Sequence, residues 1–212
     1  MESKTKRQRF MPMSAARLCA AAVSALLMLV GVASPASAAD GSSAVRSIVV
    51  ESTQGTMVST VRLDFDKPVS SQQAATLKAS LAATPPVTTA AAGESMWCLG
   101  SIGVGDANSF FTIQYSCGSR RRLAWSWKLS AALRAIIVSP VSERGLEWWR
   151  NGAFAGQNAP HSAPKDYTFH GNMNPVYAGN DIDYQDYATF RHNVGPGGTG
   201  SVIWSGSVIL EN

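Results

Sequence analysis

A mostly antiparallel β protein of the α+β class is predicted by three features of the 212-residue chain. Apolar and polar residues alternate over 56–65 and 123–129, the period of a half-buried strand. Breaks rich in Gly, Asn and Pro separate such runs, as they do between strands joined by turns. The stretch 71–83 instead spaces Ala74, Leu77, Lys78 and Leu81 as one helix face.

The elements follow in order. Residues 45–51 and 56–65 form a hairpin across Gln54-Gly55, with Met57, Val61, Leu63 and Phe65 on one side of the second strand. Pro68 closes that strand. Ser70 or Ser71 caps the helix, which Pro85-Pro86 stops. Residues 87–93, VTTAAAG, read as a short loop or linker. A tryptophan-rich meander comes next, with strands at 97–104, 109–117 and 123–129 and turns around Gly105 and Gly118. Residues 129–137 fit a helix face and a buried strand equally well, and Pro140 ends either. A short helix is expected at 142–149, stopped by Asn151-Gly152. Residues 153–181 are rich in Gly, Asn and Pro and read as a long irregular segment. Residues 184–194 and 201–210 make a closing hairpin. The whole is a strand-strand-helix unit, a Trp-rich meander and a C-terminal hairpin.

Composition sets the outer limits. With 45% hydrophobic and 15% charged residues the chain is not a disordered polyelectrolyte. No glycine period of three and no heptad persists, which excludes rods. The net charge of +4 suggests a polyanion partner until its location is read. Lys4, Lys6, Arg7, Arg9 and Arg17 face one acid, Glu2, and precede the apolar run LCAAAVSALLMLVGV and a small-residue exit at Ala36-Ser37-Ala38. Those are the parts of a secretory signal peptide over residues 1–38, in the alanine-rich style of exported bacterial proteins. The run is shorter than the roughly 20 residues of a spanning helix, so no membrane span is expected after cleavage. Cys19 opens this run, where a lipid-bearing cysteine would close it.

Cleavage removes five of 18 basic and one of 14 acidic residues, which leaves 13 of each. The formal charge of residues 39–212 is therefore zero, and the argument for nucleic acid disappears. This mature part fits a single secreted domain. Its two cysteines, Cys98 and Cys117, read as a disulfide in an oxidising compartment. Closing a loop of about 20 residues stabilises by roughly 3 kcal/mol.

Candidate sites are weighed on chemistry. Gly195, Gly197 and Gly200 match GxGxxG, but a strand follows where a dinucleotide site needs a helix. No GxSxG elbow is present. Asp181, Asp183 and Asp186 cluster oxygen ligands that suit calcium, without the spacing of an EF-hand. Arg120-Arg121-Arg122 beside Trp125 and Trp127 could grip a polyanion, but on a net-neutral domain reads as a charged edge. No cofactor is implied.

The tryptophans carry the leading expectation. Trp125 and Trp127 share a strand face, and on a short helix Trp148 and Trp149 are hard to bury fully together, which leaves at least one at a groove or the surface. Trp148, Trp149, Trp125 and Tyr167 are the candidate ligand contacts of a secreted, non-catalytic binding protein for polysaccharide or another extracellular protein. The alternatives are a hydrolase using His170 or His192 with an acid such as Asp183, and an enzyme inhibitor presenting residues 152–179 as a rigid loop.

Overall fold

The computed structural model describes residues 43–82, 95–119 and 121–212. The expected signal peptide and the segment 87–93 lie outside them. Thirteen strands and two helices follow in order: β1 (Ala44–Gln54), β2 (Met57–Ser70), α1 (Ser71–Ala82), β3 (Ser95–Met96), β4 (Ser101–Gly105), β5 (Ser109–Ser116), β6 (Arg122–Leu129) and α2 (Ala131–Ile136). Then come β7 (Val141–Glu143), β8 (Glu147–Arg150), β9 (Ala153–Gln157), β10 (His161–Ala163), β11 (Thr168–Met173), β12 (Asp181–His192) and β13 (Gly198–Leu210).

The strands form two sheets. The larger runs β1-β2-β13-β12-β7-β10, with β3 beside β13 and the β8–β9 hairpin on β12. One edge of β12 is shared, since Ile182 to Gln185 pair with β8 while Ala188 and Thr189 pair with β7. The smaller sheet is β11-β6-β5-β4, which contains the expected meander. The sheets meet through aromatic side chains. Phe111 on β5 stacks on Tyr184 and Trp204 of the larger sheet, each at 5.5 Å between ring centroids. Trp204 Nε1 donates to Ser109 Oγ across the same gap at 2.8 Å. The described residues form a β-sandwich with one continuous core.

Alternation explains which faces meet. On β12, Ile182, Tyr184, Asp186, Ala188, Phe190 and His192 point inward, while Asp181, Asp183, Gln185, Tyr187 and Arg191 face out. Glycines make room for large rings. Phe110, Trp125, Trp148, Tyr184 and Phe190 lie directly across the ladder from Gly105, Gly171, Gly156, Gly206 and Gly200. At each glycine an added Cβ would come within 3.0 Å of the facing ring. The ring thus covers backbone that a side chain would otherwise occupy.

Ser70 caps α1 reciprocally: Gln73 N donates to Ser70 Oγ at 3.2 Å and Ser70 N to Gln73 Oε1 at 3.0 Å. Pro68 does not close β2. The strand passes through it, because residues 65–68 fall in an irregularity where the register jumps between Val45 and Ser47, and no ladder N–H is needed there. The first meander strand begins at Ser101, since Trp97 to Gly100 turn instead. The ambiguous stretch contains α2, capped by Ser130, whose side chain accepts from Leu133 N.

Two expectations are corrected. Residues 142–149 are not a helix but parts of β7 and β8, with Trp148 inward and Trp149 at the opposite face. Asn151-Gly152 is accordingly a two-residue hairpin turn with φ of 52° and 78°, the form that suits strand twist. Nor are residues 153–181 irregular throughout, because β9, β10 and β11 lie within them. Their shortness, three to six residues each, hides the period.

Candidate functional site

The structure disperses much of the predicted contact set. Trp125 and Trp148 are core residues, 2% and 6% exposed, so neither offers a face to a ligand. Trp125 Nε1 donates to Asn158 Oδ1 at 2.7 Å. Trp149 is half-buried and meets Phe154 edge-on at 5.9 Å. Tyr167 is exposed but touches Phe169 and His170, and no ring contact joins it to Trp149.

The alternative catalytic residues also stand apart. His192 is buried, with Nε2 3.2 Å from the Asp64 carbonyl and its ring against Phe65. Burial pushes this imidazole below its usual value. His170 is exposed on β11, 3.2 Å from its neighbour's carbonyl at Thr168. Asp183 is exposed across from Trp149. The calcium alternative fails on alternation, because Asp181 and Asp183 face out and Asp186 faces in. Among the described residues no group of three His, Cys, Asp or Glu could hold a metal. Cys98 and Cys117 are joined as a disulfide, with 5.6 Å between their Cα atoms.

The outer face of the larger sheet carries a groove of about 540 Å³. Ladder register builds its floor. Arg62, Ser201, Thr189 and Ser142 stand on one rung across β2, β13, β12 and β7, a span of about 14 Å at normal strand spacing. Asp64, Thr199 and Arg191 form the rung beside it, and Tyr187 lies at the other flank. Arg62 Nε reaches both Asp64 carboxylate oxygens, at 2.9 and 3.0 Å, and Arg191 holds Asp66 at 2.7 Å. The Arg62 hydrogen bond draws the Asp64 carboxyl below its ordinary range, so it remains an acceptor in neutral solution. Oriented donors and acceptors with an adjoining exposed ring suit a hydroxyl-rich ligand.

A second polar cluster lies inside. Glu143 and Asp186 are both 2% exposed, on strands whose neighbouring inward residues are apolar. Trp127 Nε1 and Tyr187 N donate to Asp186. His161 reaches Glu143 Oε2 with both its backbone N, at 3.1 Å, and its Nδ1, at 2.9 Å. Burial first, then the charge and hydrogen bond of Glu143, push Asp186 up to about 8. Asp186 therefore favours the protonated form at neutral pH. Glu143 and His161 were absent from the sequence-derived set. The available signal was an acid in phase with buried Val141 on a period-two strand. The two acids sit where β7 and β12 pair, and Asp186 also lines a small pocket with Arg144 and Glu147.

Comparison with protein-family models, curated proteins and solved structures finds no match. The class defined by fold and surface is a two-sheet β protein with a polar groove on one open face.

Proposed function

We propose that the chain is a secreted, non-catalytic binding protein whose ligand is a polysaccharide laid across the outer face of the nine-stranded sheet. The observation that carries this reading is the pair of rungs through Arg62 and Asp64, flanked by Tyr187. Sugars offer hydroxyls that act as donors and acceptors, and ring faces that pack on aromatics. Trp149 and Phe154, outward on the β8–β9 hairpin, add apolar contact on the same sheet. The disulfide and the signal-like residues 1–38 support export.

Retention on insoluble glycans (cellulose, chitin and peptidoglycan) tests the reading. Tyr187→Ala/Arg191→Ala is expected to lower retention on the preferred glycan at least tenfold, and Trp149→Ala/Phe154→Ala less. Equal retention of wild type and both variants, or none by the wild type, overturns it.

A further inference from the structure

We propose that a separate groove, between the turn entering β6 and the loop leaving β11, binds an oxyanion borne on a glycan, either a uronate carboxylate or a backbone phosphodiester. It uses none of the residues of the outer-face groove, so either reading can fail alone.

The groove has a volume of about 520 Å³ and is lined by Arg121, Arg122, Asn172, Asn174 and Tyr177, with Ser119 at its rim. That size falls within the range of small-ligand sites. No carboxylate lines it. Among the described residues neither Arg121 nor Arg122 is in an ion pair, whereas Arg62, Arg144 and Arg191 are held by Asp64, Glu147 and Asp66. Charged donors thus converge without a partner, on a chain whose residues 39–212 carry no net formal charge.

Contacts hold the β11 side of the groove and the start of the turn. Cys117, just before the turn, is tied to Cys98. β6 and β11 pair through Leu123 and Met173, which sets Arg122 and Asn174 at the same end of the ladder. Asn158 Nδ2 donates to the Asn172 carbonyl at 3.0 Å, and Tyr177 N donates to Asn180 Oδ1 at 2.8 Å. Arg150 Nη1 donates to the Pro175 carbonyl at 3.1 Å while its guanidinium lies 6.0 Å from the Tyr177 ring centre.

The donor set selects the ligand. Guanidinium forks match the paired oxygens of carboxylate and phosphate, and Asn amides add neutral donors. Tyr177, 48% exposed, gives a ring against which the sugar bearing the anion can lie.

Binding is measured to polygalacturonate, to a phosphodiester-linked phosphomannan, to neutral dextran and to single-stranded oligo-dT at 50 and 200 mM NaCl. The wild type is expected to bind one acidic glycan polymer above dextran, and which one identifies the anion. Arg121→Gln/Arg122→Gln should lose at least tenfold, and Arg121→Lys/Arg122→Lys several-fold, with unchanged melting temperatures. Tyr187→Ala/Arg191→Ala should bind the acidic polymer as wild type does. The proposal falls if neither acidic polymer binds at 50 mM NaCl, if the Gln variant binds equally, or if the Lys variant matches wild type and charge alone suffices. Tighter binding to oligo-dT than to both acidic glycans would also overturn it, by assigning the groove to nucleic acid.

Discussion

Asp186 and His192 are both buried on β12, yet they tilt the response to pH in opposite directions. Asp186 sits at about 8 in the folded chain, against an ordinary carboxyl value near 4. As pH rises between those values, the unfolded chain releases this proton and the folded chain retains it, so stability falls. His192 is displaced downward by burial, so its contribution to stability is lost as pH falls through the ordinary imidazole range. Asp186→Asn keeps an acceptor for Trp127 and can donate to Glu143, but has no proton to release. The unfolding free energy of Asp186→Asn minus that of wild type should therefore grow by up to about 1.4 kcal/mol per pH unit between pH 5 and 7. Urea titrations at three pH values measure it, and a pH-independent difference contradicts the assignment of the proton.

At the scale of elements, the long strands were legible and the short ones were not. β2, β6, β12 and β13 repeat the two-residue period often enough to reveal both face and pairing. β7 and β10 have three residues each, too few for alternation to be seen above composition. The adjacent tryptophans misled for a related reason. Two large apolar neighbours fit the sides of a helix turn, yet on β8 they take opposite faces of the sheet, one interior and one outer. Trp148 is buried and Trp149 half-buried. Alternation alone leaves open which face of a strand meets the core: Trp125 shares its face with buried Leu123, Trp127 and Leu129 and so turns inward. The outer-face groove is lined mainly by Ser, Thr and Arg brought together from four strands, residues with no local signature.

The aromatic–glycine pairs yield a prediction at this same scale. Gly206→Val places a side chain where Tyr184 lies, and the displaced ring cannot exit a packed core. A loss of about 1–3 kcal/mol in unfolding free energy is expected, as for other overpacked interiors. Gly152→Ala, in an open turn with nothing within 4 Å, tests backbone conformation alone at φ of 78°. It should cost less, about 1 kcal/mol. Thermal melts of the two variants check the order.

For the whole molecule, the disulfide and the sandwich divide the work of stabilisation. Cys98 and Cys117 lie 19 residues apart and join the ends of β4 and β5 in the smaller sheet, while the larger sheet contains no crosslink. Reduction should lower stability by roughly 3 kcal/mol without changing the far-ultraviolet circular dichroism. A collapse of β signal on reduction would show instead that the smaller sheet depends on the crosslink to form.

The proton shared inside also changes how the protein behaves as an ion. A formal count treats Asp186 as a charge of −1, but burial and the neighbouring Glu143 make it hold its proton more tightly than an exposed carboxyl does. Native electrophoretic mobility should accordingly correspond to one more positive charge than the residue tally. On unfolding in unbuffered neutral solution, the chain should release close to one proton to the medium.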